Sequence, residues 1–174
     1  MTNIESIRVN CTRYKKLAEA AMAQIEEADL SRPVPEGGNS IAVICWHISG
    51  NLRSRFTEFL TTDGEKPWRH RDEEFHARTV TRAELLATWT AGWRVLDDTL
   101  AALTDADLGR TVIIRGESME VHEALHRSLA HIAYHVGQIV CLGKIFRGRQ
   151  WSYLSIAPGG SDAYNAKIKT ESRR

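Results

Sequence analysis

The chain has 174 residues, 43% hydrophobic and 26% charged, which is enough to bury a core without disulfide or metal staples. Its 23 basic and 22 acidic residues leave a formal net charge of +1, and that excludes the clustered basic footprint of a nucleic-acid-binding domain. No stretch approaches about 18 uncharged apolar residues, and the N-terminus, with Glu5 and Arg8 in its first turns, lacks an apolar signal core. Neither a membrane span nor secretion is therefore expected.

The first periodic segment reads Ile4, Ile7, Cys11, Tyr14, Ala18, Ala21, Ile25, with apolar residues at alternating steps of three and four. That spacing puts them on one stripe of a helix. Pro33, Pro35, Gly37 and Gly38 then break the chain. Asn39 or Ser40 can cap a second helix, whose stripe is Ile41, Cys45, Ile48, Leu52, Phe56 and Phe59. Residues 63–80 form a long polar connection, suited to crossing a bundle or flanking a site. Thr81 with Glu84 makes a capping box for a third helix, striped by Leu86, Trp89, Trp93, Leu96, Leu100 and Leu103. Thr111 to Ile114 and Ser118 to Val121 flank Arg115-Gly116-Glu117 and predict a small hairpin. A fourth helix follows, striped by Leu125, Leu129, Ile132, Val136, Ile139 and then Phe146. Four such stripes bury one another as an all-α four-helix bundle, with residues 1–174 as one domain.

Cys11, Cys45 and Cys141 sit at unrelated spacings, and an odd count argues for a reducing cytoplasm over a disulfide framework. Each reads as a small buried hydrophobe within a helical pattern. The basic tail Lys167, Lys169, Arg173 and Arg174 reads as a solvated end.

Helical phase sorts the seven histidines. His131 and His135 are four apart and lie about 40° from each other on one helical face. His122 and His126 form a second pair, roughly 140–180° from His131, and His126 should face water. His135 lies within reach of the apolar stripe. In the second helix His47 sits at the edge of its stripe, with Asn51 and Glu58 close to the same line. A polar lane beside an apolar stripe is what a metal pocket in a bundle needs. Three neutral imidazoles from two helices, His47, His131 and His135, suit a borderline divalent ion such as zinc or nickel with a position left open. His70 and His76, in the polar connection, are expected to be exposed. A ferritin-like di-iron site needs two Glu-x-x-His motifs facing inward. Glu123/His126 and Glu73/His76 have the spacing, but Glu123 points away from its stripe and Glu73 lies in the polar connection.

Trp46-His47-Ile48-Ser49-Gly50-Asn51-Leu52, the block from Phe59 to Trp68, and His131-Ile132-Ala133-Tyr134-His135-Val136-Gly137-Gln138-Ile139 together resemble the DinB-like superfamily. The resemblance runs from about residue 10 to 165 and includes Trp151 to Ile156 and Tyr164-Asn165. It is narrower to an uncharacterised branch related to the bacillithiol transferases. It implies a four-helix bundle holding a divalent metal on one histidine of the second helix and two of the fourth, positions that fall on His47, His131 and His135. Relatives include thiol S-transferases and a mycothiol-dependent isomerase, and such proteins are often homodimers.

Two functions are expected from this reading. In the first, the ion activates a low-molecular-weight thiol or a water, making a thiol S-transferase-like or hydrolase-like enzyme in which Asn51 and Glu58 orient groups around the ion and Arg53 or Arg55 receives a substrate carboxylate. In the second, the chain is a non-catalytic dimeric, stress-associated or binding module with a structural or vestigial metal. An accessible pocket at the metal favours the first, a closed site the second.

Overall fold

A computed structural model describes residues 1–171. Four long helices carry the fold: α1 (Asn3–Met22), α3 (Ile41–Phe56), α4 (Arg82–Ala102) and α5 (Val121–Arg147), with the short α2 (Glu27–Leu30) after α1 and α6 (Ser161–Glu171) at the end. A two-stranded hairpin, β1 (Thr111–Ile114) and β2 (Glu117–Glu120), precedes α5. The expected all-α bundle with its small hairpin is what forms. α2 and α6 are additions, too short or too polar to announce themselves by an apolar stripe. Lys167 and Lys169 are exposed on α6, whereas Arg173 and Arg174 lie outside the described residues.

The caps act where the sequence puts them. Ser40 accepts the Val43 N–H at the start of α3, and Thr81 and Glu84 close a reciprocal box on α4. The stripes meet as a shared core that includes Ile4, Ile7, Cys11, Ala18 and Ala21 from α1 and Ile41, Cys45, Ile48 and Leu52 from α3. Trp89 and Trp93 of α4 are fully buried with ring centroids 5.3 Å apart. Full burial of each Leu, Ile or Val contributes about 1.5–3 kcal/mol, which is why packing and not propensity builds these helices. One position in the third stripe is corrected: Leu85 is buried and Leu86 is 37% exposed. Cys141 is exposed as well, since it points away from the α5 stripe, so only Cys11 and Cys45 are small buried hydrophobes.

Contacts along the helices set their directions. Ser49 of α3 reaches Thr88 of α4, and Phe56 reaches Thr99, so these two helices run parallel. Glu19 meets Trp89 and Lys15 meets Asp97, so α1 and α4 are antiparallel. His47 meets His131 while Arg55, two turns later, shares a cavity with Ala124, so α3 and α5 are antiparallel too. Two parallel neighbours joined in sequence require a connection that returns the length of a helix, and residues 57–81 are that crossover. The polar connection thus crosses the bundle, as its length implies.

The hairpin differs from expectation by one residue. Glu117 pairs with Ile114, leaving a two-residue turn at Arg115 and Gly116 with φ of 58° and 76°. Both residues are left-handed, as the tight turn matching strand twist requires. The Asp63 carboxylate accepts both turn N–H groups and so ties the crossover to the hairpin.

On length and composition alone one helical stretch, Val121–Gln150, would qualify to cross a membrane, contrary to the reading from sequence. In the fold its stripe of Leu125, Ile132, Val136 and Ile139 is buried in the core, and its outer face carries exposed His126, Arg127 and Lys144.

α3 and α4 approach closely at Gly92, where an added Cβ would lie 2.6 Å from the Ser49 Cα. Alanine here gains up to about 1 kcal/mol of helix propensity. A backbone clash cannot relax by rotamer change, and overpacking costs about 1–3 kcal/mol. Gly92→Ala is therefore expected to destabilise the protein, which a urea titration followed by circular dichroism will show as a lower midpoint. An unchanged or higher midpoint contradicts the close packing.

Candidate metal centre

His47 faces inward at the middle of α3, and His131 and His135 face it from α5. Their ring centroids are 5.1 Å (His47–His131), 4.9 Å (His47–His135) and 4.6 Å (His131–His135) apart. One nitrogen from each ring lies within 4.8 Å of the others, so the three can hold an ion. His47 and His135 are buried and His131 is half-buried.

Two of the three rings are oriented by partners. The Nδ1–H of His47 donates to Glu74 Oε2 at 2.9 Å, since a carboxylate only accepts. This fixes the tautomer and leaves His47 Nε2 with its lone pair free. His135 Nδ1 similarly donates to the side-chain oxygen of Gln138 at 2.8 Å, freeing its Nε2. His47 Nε2 and His131 Nε2 are 3.1 Å apart. Ligands on a common ion at about 2.0–2.1 Å are separated by roughly 2.9–3.4 Å for angles between octahedral and tetrahedral. The donor set therefore fits a divalent ion in its chemistry, and the His47–His131 pair fits it in spacing.

Burial favours the neutral form of His131 and His135. Burial pushes the His131 pKa down to about 3, with further repulsion from His135, His47, Arg69 and Arg55. Burial also lowers His135, against a smaller opposing effect of Gln138. Neutral imidazole is the form that ligates.

Glu74 and Arg69 were not visible in the sequence. Both come from the crossover and both are buried, at 8% and 9% exposure. Arg69 donates Nε and Nη2 to the two oxygens of Glu74 at 2.8 and 2.9 Å. Burial alone would raise the Glu74 carboxyl, but the Arg69 and His47 hydrogen bonds outweigh it and hold it below its ordinary value. Phe75 follows, its ring 4.6 Å from His47. The usable sequence signal was Gly50, one helical turn after His47. A Cβ there would lie 2.6 Å from Glu74 Cδ, so only glycine lets the carboxylate reach the histidine.

The other expected residues divide. Asn51 lines a cavity beside His47 and His131. Glu58 is exposed, past the end of α3 with φ of 50°, and so falls off the lane because the helix stops at Phe56. Arg53 lies over the Trp68 ring at 5.6 Å. Arg55 is buried, donating to Gly64 and Glu65. His70, His76, His122 and His126 are all exposed, as are Glu73 and Glu123, so the di-iron arrangement does not form.

Residues 1–160 match the family described as "Protein of unknown function (DUF1572)". The chain belongs to this DinB-like family. No curated protein matches it. In this DinB-like chain the match spans every bundle helix and both halves of the histidine triad.

Loss of the partner that orients a metal-binding histidine typically weakens affinity 10–100-fold. Glu74→Gln and Gly50→Ala are both expected to weaken zinc binding by roughly that factor without removing a ligand, as a competitive chelator titration will read. His122→Ala and His126→Ala should leave affinity unchanged. If either weakens it as much as Glu74→Gln does, the helical-phase assignment fails.

Proposed function

We propose that this protein is a divalent-metal-dependent enzyme, thiol S-transferase-like or hydrolase-like, with zinc or nickel held by His47, His131 and His135. The observation that carries the reading is the open side of the triad: His47 and His131 form part of the wall of a solvent-reaching cavity of about 180 Å³. A structural site closes around its ion, whereas a catalytic one keeps a position for water or substrate. Held there, a divalent ion would lower the pKa of a coordinated thiol or water and so supply a nucleophile at neutral pH.

The chain's own residues prepare that position. Glu74 and Arg69 lock the His47 ring, and Gln138 locks His135, so the free nitrogens converge without reorganisation. Phe75 packs its ring against His47, with centroids 4.6 Å apart. The resemblance to the bacillithiol transferases supports thiol over water as the nucleophile, and it supports a homodimer. Exposed Tyr134 and Ile145 on the outer face of α5 offer apolar surface for such pairing. A reducing cytoplasm agrees with the three free thiols.

His135→Ala is expected to release the metal and leave helical content nearly unchanged, because the stripes build the bundle. The function itself is tested on cobalt-substituted protein titrated with bacillithiol, mycothiol, glutathione and coenzyme A at several pH values. A sulfur-to-metal charge-transfer band is expected with at least one thiol, and binding should strengthen with rising pH as the thiol proton is released. No band with any of them removes the thiol-transfer version.

A further inference from the structure

The cavity that reaches His47 and His131 is basic to a degree that metal binding does not require. Arg55, Arg69, Arg71, Arg115 and Arg127 all line it, and no carboxylate among the described residues does. They come from α3, the crossover, the hairpin turn and α5, so the clustering is made by the tertiary fold and not by a local charge run.

Four carboxylates lie close to these guanidiniums. Glu74 takes the Nε and Nη2 of Arg69. Glu65 bridges Arg55 at 3.0 Å and Arg115 at 2.8 Å. Asp72 lies 3.5 Å from Arg71. The Asp63 carboxylate accepts the Arg115 backbone N–H at 2.8 Å. Five cations against four anions leave an excess of positive charge around a small cavity. Donors are also left over. Arg69 Nη1 is buried without a hydrogen-bond partner among the described residues, and a buried unmade donor is costly. Arg127 is exposed, lies one helical turn before His131, and forms no ion pair among the described residues.

We propose that this cavity binds the oxyanion end of the substrate, a carboxylate or phosphoryl group, and so places the reacting atom of the same molecule beside His131. The inference rests on the triad being the reacting centre, and it adds the chemical class of what reacts there. Planar guanidinium forks match both oxyanions, and the donors converge from different elements. At about 180 Å³ the cavity holds an anionic end group and not a whole cofactor. Binding also relieves the mutual repulsion of the arginines, so an anion should stabilise the fold.

The test uses the full chain loaded with zinc, with inorganic phosphate and malonate as probes, thermal unfolding and calorimetry as readouts, and metal content measured on every sample. At constant ionic strength one or both probes should raise the melting temperature where matched chloride does not, with an effect that fades as salt rises. The tighter probe names the oxyanion. Arg127→Gln, at an exposed position where folding should be unaffected, is expected to weaken binding on the order of tenfold. His135 lies outside the cavity wall, so His135→Ala should lose the metal and still bind the anion. No stabilisation by either probe overturns the proposal. So does binding that survives Arg127→Gln but vanishes in His135→Ala, because the anion is then a metal ligand. Wild-type protein without metal would instead sink the metal reading, whatever the anion does.

Discussion

The arrangement depends on one buried ion pair, Arg69 with Glu74, and on its hydrogen bond to His47. A buried carboxylate is costly unless its charge is balanced and its lone pairs are used. Arg69 covers both oxygens, and His47 adds a third bond. Removing any one member leaves the others buried with a charge or a hydrogen bond unmet. The pair therefore holds the crossover onto α3, dictates glycine at position 50, and turns the His47 ring so that its free nitrogen faces α5.

The same constraint explains why the crossover passes where it does. Parallel α3 and α4 need a long return connection, and such a segment has backbone groups and polar side chains to satisfy. Here the return path supplies Arg69, Glu74 and Phe75 to the site, and at its start Asp63 ties it to the hairpin turn. A topological requirement and a chemical one are met by the same stretch. The hairpin in turn carries Arg115 to the cavity beside the triad.

Periodicity made the bundle legible, because each helix buries one stripe and a 3.5-residue repeat is visible in a single sequence. It also separated His131/His135 from His122/His126, since phase along one helix is fixed by geometry alone. Where the reading failed, the cause was local or long-range. Leu85 replaces Leu86 because adjacent leucines differ by about 100° and either can start the stripe. Glu58 left its lane because a helix end is not periodic. Glu74 and Arg69 reach His47 across 27 and 22 positions of irregular chain, and no spacing rule connects residues through a loop. Only Gly50 recorded that approach in the sequence, as a missing side chain.

The positive character around the triad has two consequences that oppose each other. Burial, with a smaller contribution from nearby guanidiniums, holds the His131 imidazole neutral, which readies it as a ligand, yet the same positive charge repels a divalent cation. Glu74 offsets only part of this, since Arg69 already shares its carboxylate. An oxyanion among the arginines would remove the opposition from the other side. Linkage then makes the two events reciprocal: a ligand that raises metal affinity is itself bound more tightly by the metal-loaded protein, by the same factor. A small cavity placed against the triad would keep a bound anion and ion close together, where their attraction is poorly screened. Substrate and ion would then stabilise each other where neither alone is held most tightly, so the affinity of the centre for its metal is a property of the loaded site and not of three histidines.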